Sequence, residues 1–376
     1  MKFLLILLNY FLVIVYAQDK CMTPSGSISS CIIVTECPSL LSILKGPRPI
    51  PYEALELLRL SQCGFEGMWP KVCCEQPVPL STTIEPDLST IPNPPDVVNQ
   101  SNVRLLNHTI CGPITEPKIF GGNKTGVLDY PWMALIAYNI DGRKEFRCGG
   151  TIINKRYILT AAHCVTNLPS SLTLLGVRVG DHDLSTERDC DKDEDGLEIV
   201  CADQYQDFLI ESTKFHPGYV LSKLQDDIGL IRLASDIDFE PINVKPICLP
   251  IGTAQRLGQK TVTITGWGAT EFGTRSLELL MVNLSPVPND ECAKAYQGKS
   301  VIWYKQMCAG GKNGKDSCAG DSGGPLQSPG RYYNDVRYVQ YGIVSFGPRN
   351  CGIDGFPGVY TFLPYYMDWI LDNMQD

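Results

Sequence analysis

Basic residues are scarce in this chain: Lys and Arg total 32 against 41 Asp and Glu, a formal net charge of −9 over 376 residues. That argues against a nucleic-acid binder, which presents a basic face. Histidine occurs only four times, so any imidazole chemistry must use His108, His163, His182 or His216. No cysteines are spaced as the CxxC pairs of metal sites, so the sixteen present are read as disulfides in an oxidising compartment. No internal repeat is visible. Beyond the first residues no apolar run approaches the ~20 residues that a membrane span needs. What is present supports a folded protein: 44% hydrophobic and 19% charged residues exclude wholesale disorder. The length suggests two or three domains.

Met1-Lys2, an apolar run over 3–16 broken only by Asn9, and the small-residue ending Val15-Tyr16-Ala17 predict a signal peptide at 1–17. A secreted, soluble protein is expected. Cys21, Cys31, Cys37, Cys63, Cys73 and Cys74 crowd one segment, 21–74, read as a module whose small core needs three covalent bridges. Spacing alone leaves 15 connectivities open. One short helix is expected at 52–60. From 75 to about 110 prolines stand among Ser, Thr and Asn without apolar periodicity, which predicts an exposed, semi-extended linker. Asn99, Asn107, Asn123 and Asn283 open N-x-[ST] glycosylation motifs. From 119 onward, short Val-, Ile-, Thr- and Tyr-rich runs such as 132–138, 151–160, 261–266 and 338–345 predict antiparallel strands of a mostly β sandwich or barrel. Helical spacing at Tyr366, Met367, Trp369 and Ile370 predicts a C-terminal helix over 364–376.

The strongest chemical signal is Gly320-Asp321-Ser322-Gly323-Gly324-Pro325. A nucleophilic serine needs an exposed turn and backbone N–H groups aimed at the oxygen that turns negative during acyl transfer. It also needs a base beside it. Among the histidines, His163 in Leu159-Thr160-Ala161-Ala162-His163-Cys164 directly follows a β-type run amid small neighbours, whereas His108 lies in the linker, His182 in an acidic loop and His216 in a His-Pro-Gly turn. The base in turn needs a buried carboxylate to orient it. Asp227 opens the apolar run Asp227-Ile228-Gly229-Leu230-Ile231, and it is preferred over Asp226 because it adjoins that run.

Thr160-Ala161-Ala162-His163-Cys164, Asp227-Ile228-Gly229-Leu230 and Gly320-Asp321-Ser322-Gly323-Gly324-Pro325, in that order, resemble the trypsin family of serine proteases over 119–376. Gly229 stands where the family usually has Ala. The resemblance implies two six-stranded β-barrels, with Ser322 as nucleophile, His163 as base then acid, Asp227 as orienting carboxylate, and the Gly320 and Ser322 N–H groups as the oxyanion hole. It places Asp316, six residues before the serine, at the base of the primary pocket, with Gly347 and Gly358 as its walls. A carboxylate there favours substrate Arg or Lys. Pro357 replaces the aromatic of sodium-activated relatives, so no sodium effect is expected. Lys118-Ile119-Phe120-Gly121-Gly122 resembles a zymogen cleavage site whose new Ile119 ammonium would pair with Asp321.

The same resemblance implies the disulfides Cys148–Cys164, Cys292–Cys308 and Cys318–Cys351, with Cys111–Cys248 tethering the light chain and Cys190–Cys201 closing an acidic insertion. Asp191 to Gly196 imitates an EF-hand loop, but Ala202 stands where the closing Glu belongs, and that reading is rejected. Asp181, Asp183, Thr186 (by its carbonyl) and Asp189 resemble the structural Ca2+ loop of insect clip-domain proteases. No catalytic metal or organic cofactor is expected. The six-cysteine module, ending in Cys73-Cys74 ahead of the linker, resembles a clip domain, which implies Cys21–Cys73, Cys31–Cys63 and Cys37–Cys74. The whole chain is similar to clip-domain proteases of arthropod haemolymph cascades, such as prophenoloxidase-activating factors and Toll-pathway proteases. The expected partners are zymogen or pro-cytokine substrates, an upstream activating protease and a serpin inhibitor, with no nucleic acid and no membrane. The alternatives are a venom protease and a non-catalytic clip-domain cofactor, the latter disfavoured because Ser322, His163 and Asp227 are all present.

Overall fold

The computed structural model describes residues 20–24, 28–46, 50–66, 69–74, 91–114, 125–270, 274–312, 314, 317–348 and 351–376. The expected signal peptide, the cleavage site Lys118-Ile119, Asn123 and Asp316 lie outside the described residues. The chain divides into two compact units, Met1–Thr90 and Ile91–Asp376.

In the first unit, β1 (Lys20–Met22), β2 (Ile28–Ile33), β3 (Gln62–Glu66) and β4 (Trp69–Cys74) form one antiparallel sheet in the order β1-β2-β4-β3. Two helices accompany it, α1 (Pro38–Lys45) and α2 (Tyr52–Leu60). Only α2 is expected from periodicity. α1 is a short second helix, started by Pro38, whose fixed φ suits a first helical turn, and supported by Lys45 in its last turn. Its core is very small: Val34, Cys37, Leu40, Val72 and Cys74. Three disulfides therefore carry much of the stability: Cys21–Cys73, Cys31–Cys63 and Cys37–Cys74. Losing any one should cost about 2–5 kcal/mol.

In the second unit, β5 (Met133–Ile140), β6 (Arg143–Ile152), β7 (Tyr157–Thr160), β8 (Leu172–Val179), β11 (Gln206–Phe215) and β12 (Gly229–Leu233) close into a barrel in the order β11-β12-β7-β6-β5-β8. The hairpin β9 (Cys190–Lys192) and β10 (Glu198–Cys201) projects from it as a two-stranded ribbon. The run 151–160 is not one strand. Asn154 Oδ1 accepts the N–H groups of Arg156 and Tyr157, both at 2.8 Å, and this side-chain turn reverses the chain between β6 and β7.

The second sheet has seven strands: β13 (Val262–Gly266), β14 (Leu280–Leu284), β15 (Pro286–Val287), β16 (Gln306–Ala309), β17 (Pro325–Tyr332), β18 (Asp335–Phe346) and β19 (Gly358–Phe362), in the order β14-β13-β17-β18-β19-β16-β15. Its two edges, β14 and β15, are separated only by Ser285, so one bent stretch supplies both and the sheet curls around towards itself. Pro286, which lacks an N–H, sits at that bend. The two sheets share a core in which Trp132 is fully buried and donates its indole N–H to Gln327 Oε1 at 2.7 Å. Truncating such a ring to Ala costs about 3–5 kcal/mol. The short helix α3 (Asn289–Ala295) is pinned by Cys292–Cys308.

Two expectations are corrected here. The linker does not stay exposed to residue 110: Val97, Val103, Leu106 and Cys111 are buried in the core of the second unit. Arg104 pairs with Asp376 at 2.6 Å, and Asn102 Nδ2 donates to the Leu371 carbonyl at 2.9 Å. Irregularly spaced anchors among prolines leave no periodic signature, which is why composition misleads there. The C-terminal helix is shorter than 364–376: a 3-10 turn, Leu363–Tyr366, leads into α4 (Met367–Asp372). Of the glycosylation motifs, Asn99 and Asn283 are exposed and Asn107 is half-buried.

Candidate active site

Strand pairing brings the base and its carboxylate together. β7 and β12 run antiparallel with Thr160 opposite Gly229, so the turn after β7 lies beside the residues before β12. His163 occupies that turn, the 3-10 segment Ala162–Cys164, and Asp227 stands just ahead of β12. A Cβ on Gly229 would lie 2.9 Å from Val165 Cγ2 and 3.2 Å from the Ala161 carbonyl oxygen, so the close packing here favours glycine.

Asp227 has no solvent exposure, and its side-chain oxygens and backbone carbonyl accept four hydrogen bonds. Oδ2 accepts from His163 Nδ1 at 2.8 Å and from the Ser345 hydroxyl at 2.6 Å, and Oδ1 accepts the His163 backbone N–H at 3.0 Å. The Asp227 carbonyl takes the Thr361 hydroxyl at 2.7 Å. Burial pushes the His163 imidazole down, but the charge and hydrogen bond of Asp227 outweigh it and hold the imidazole above its ordinary value. With Nδ1–H committed to Asp227, Nε2 is the nitrogen able to take a proton.

The remaining histidines and Asp226 have structural partners. His108 contacts the Tyr332 hydroxyl at 2.6 Å, His182 the Thr125 hydroxyl at 2.9 Å, and His216 Nδ1 accepts the Gly218 N–H at 3.1 Å. Asp226 accepts the Tyr366 hydroxyl at 2.9 Å. Only His163 meets Asp227.

Ser322 comes from the other sheet, in the loop ahead of β17. Its carbonyl accepts the Gly149 N–H at 2.8 Å. Gly323, at φ +78°, packs so closely that a Cβ there would lie 2.2 Å from Thr160 Oγ1 and 3.2 Å from Cys164 Sγ. Those residues flank His163, so the Ser322 turn is seated against the histidine turn. Cys148–Cys164 and Cys318–Cys351 brace the two turns. Among the described residues, neither the Gly320 nor the Ser322 N–H donates to a protein acceptor.

The Asp321 carboxylate is enclosed beside Ser322. It accepts the Cys318 and Gly268 N–H groups, each at 2.9 Å. Burial pushes this carboxyl up, opposed in part by those N–H groups and by Arg275. Gly347 and Gly358 face one another, a Cβ on the first lying 3.8 Å from the second's Cα. Nearby, the Ser317 and Tyr360 hydroxyls sit 3.1 Å apart. Sequence reasoning missed Ser345, Thr361 and Tyr360 as contributors. Ser345 stands two residues before Gly347, in a segment already singled out, and its burial next to a charge could have been suspected.

In the acidic loop, Asp181 pairs with Arg178 at 3.0 Å through Oδ2, while its buried Oδ1 has no partner among the described residues. Asp189 accepts the His182 and Asp183 N–H groups at 2.9 and 3.0 Å and the Thr186 hydroxyl. Among the described residues, the carboxylates of Asp181, Asp183 and Asp189 do not gather within 4.8 Å of one another. All sixteen cysteines are bonded, completed by Cys111–Cys248 and Cys190–Cys201, and these eight pairs are the same as those the resemblance implies.

Comparison with known proteins matches residues 119–370 to the family described as Trypsin and residues 21–74 to that described as Regulatory CLIP domain of proteinases. The chain belongs to the trypsin family. It is a serine endopeptidase that carries a clip domain. It is 38% identical to "Serine protease ea" of Drosophila melanogaster across 95% of this chain and 91% of that protein. It is 37% identical to "Phenoloxidase-activating enzyme 1" of Spodoptera litura across 95% of this chain and 94% of that one. The crystal structure of the Drosophila Grass clip serine protease of the Toll pathway matches with a TM-score of 0.65 and 33% identity, over 95% of this chain and 97% of the other. Among the described residues no helix is long and apolar enough to cross a membrane.

Proposed function

We propose that this protein is a secreted zymogen, activated by cleavage after Lys118, that hydrolyses peptide bonds following Arg or Lys in a haemolymph cascade of innate immunity. The observation that supports the chemistry best is the fully buried Asp227 locked onto His163 Nδ1 at 2.8 Å. In this reading Ser322 attacks the scissile carbonyl while His163 Nε2 takes its proton and then delivers it to the leaving amine. Asp227 keeps the imidazole in the required tautomer and stabilises the cation that forms. The N–H groups of Gly320 and Ser322 stabilise the developing oxyanion. Asp316, read from the family resemblance as the base of the pocket that Gly347 and Gly358 wall, would select a cationic side chain.

Activation would work through Asp321. A carboxyl pushed up by burial is stabilised in its charged form by an incoming cation, and the Ile119 ammonium freed by cleavage is that cation. The covalent tether Cys111–Cys248 would keep the light chain attached. Relatives named for phenoloxidase activation and melanisation, and the Toll-pathway Grass protease, support a role in an immune cascade. Zymogen or pro-cytokine substrates, an upstream protease and a serpin would be its partners, and Asn99, Asn107, Asn123 and Asn283 its glycan acceptors.

The acidic loop fits a hard cation in donor chemistry: a threonine carbonyl and three carboxylates, one of which, Asp181, has its buried Oδ1 unpartnered among the described residues. Asp181, Asp183, Thr186 and Asp189 would hold Ca2+, which would rigidify the loop without entering the reaction. The test of the whole reading is labelling by an arginine-mimetic phosphonate. The chain cut after Lys118 should react at Ser322 and the uncut chain should not; equal reaction of both forms, or of neither, would reject it.

A further inference from the structure

A cleft of about 220 Å³ borders Gly320 and is lined by Leu135, Phe146, Cys148, Trp267, Leu277 and Arg275 among others, but by neither Gly347 nor Gly358. The acyl part of a substrate takes the pocket walled by Gly347 and Gly358, so a cleft that shares Gly320 but not those walls is assigned to the residues of the leaving group. This placement rests on the protease reading above. The walls are largely apolar, and they carry two guanidinium groups, Arg147 and Arg275, against one carboxylate, Glu145. Arg147 already uses that carboxylate, with Nε at 3.2 Å and Nη2 at 2.9 Å from the same Glu145 oxygen.

Among the described residues no carboxylate lies in ion-pair contact with Arg275, and its side-chain hydrogen bond goes to the neutral Phe146 carbonyl. Its Nε lies 3.3 Å from where a Gly320 Cβ would project, so the guanidinium borders the oxyanion-hole peptide itself. Partial burial and repulsion from Arg147 push Arg275 down, with Glu145 and Asp321 opposing. A cation held this way, beside a second cation and over apolar walls, is stabilised by any carboxylate that enters.

We propose that Arg275, assisted by Arg147, is a specificity-determining residue that selects an acidic side chain among the first two residues after the scissile bond. The apolar walls take the methylene stem and the guanidinium the carboxylate. Arg275 and the β6 residues Phe146 to Cys148 thus read the leaving group, independently of how Asp316 would read the acyl side.

The test uses the full chain cut after Lys118 and internally quenched peptides with one scissile Arg, carrying Glu, Ala or Lys at the first or the second following position. The wild-type protein should show kcat/KM in the order Glu, Ala, Lys, with Glu over Lys by about fivefold or more at one of those positions, the size expected of a half-exposed ion pair. Arg275→Gln should bring that ratio near one, and Arg275→Glu should invert it, which misfolding cannot do. Equal rates for Glu and Lys in the wild-type protein, or an unchanged ratio in Arg275→Glu, would overturn the proposal. A peptidyl-arginine anilide, which has no residue after the scissile bond, separates the two claims. If the anilide is cut while the peptides show no preference, only this inference fails; if neither is cut, the protease reading fails with it.

Discussion

Replacing Asp227 with Asn changes one atom and should nearly silence the enzyme. The carboxylate sits between three donors: His163 Nδ1 at 2.8 Å, the His163 N–H at 3.0 Å and the Ser345 hydroxyl at 2.6 Å. An amide can accept through only one of its two positions. If its oxygen stays on the backbone N–H, its NH2 group faces Nδ1, which must then become an acceptor. The ring proton moves to Nε2, and the base can no longer take the Ser322 proton. A loss of about 10⁴-fold in kcat is expected, or about 5.5 kcal/mol in the barrier. The Coulombic support for imidazolium disappears as well. In the parent protein that support holds His163 above its ordinary 6.5, and because the base works only when neutral, activity should rise with pH through a value above 6.5. In the variant the residual acidic limb should move to lower pH. Steady-state hydrolysis of a peptidyl-arginine anilide across pH, normalised by active-site titration, measures both effects. Unchanged thermal unfolding would show that the isosteric change left the fold intact. A loss smaller than tenfold, or a limb that does not move, would refute the assignment of Asp227.

Three further perturbations probe other parts of the site. Gly323→Ala forces a side chain to within 2.2 Å of Thr160 Oγ1 at a φ of +78°. It should cost about 1–3 kcal/mol of stability, read by denaturant unfolding, together with most of the activity, because the Ser322 turn must back away from His163. Asp316→Ser should cut cleavage after Arg far more than cleavage after Leu, and equal losses in kcat/KM would dismiss it as the pocket base. Ca2+ should slow proteolytic nicking within 181–189, and a digestion pattern indifferent to chelator would remove the metal from that loop.

The motifs were legible in one dimension because the chemistry restricts them tightly. Glycines must flank Ser322, small residues must precede His163, and an acid must enter an apolar strand at Asp227; each leaves a readable string. The strands were legible from short Val-, Ile-, Thr- and Tyr-rich runs bounded by turn residues, and β5, β7 and β13 are indeed buried along most of their length. What escaped has no local signature. Ser345 matters only because β18 carries its hydroxyl to Asp227, which lies far away in the chain. The turn at Asn154 was read through as strand because its neighbours are Ile, Tyr and Leu, and one side chain accepting two N–H groups reverses the chain regardless. The segment 91–111 has apolar residues but no apolar period, so its burial was not legible; Val97, Val103, Leu106 and Cys111 join a core built mostly by residues elsewhere in the chain.

That seated segment bears on how the cut protein would hold together. Cleavage after Lys118 separates the light chain from the catalytic sequence, and Cys111–Cys248 is the one covalent link between them among the described residues. The disulfide is not the only link. Val97, Val103 and Leu106 are buried in the same core as α4, Asn102 donates to the carbonyls of Leu371 and Met374, and Arg104 reaches Asp376. Burying three such side chains is worth about 5 kcal/mol in transfer alone. A bridge that closes a preformed, packed contact adds effective concentration and not geometry. The light chain therefore grips the end of the catalytic domain by its own packing, and the disulfide makes that grip permanent. Because the segment packs against the last helix and none of its residues lines the cleft beside Gly320, it can hold the two chains together after cutting without obstructing that cleft.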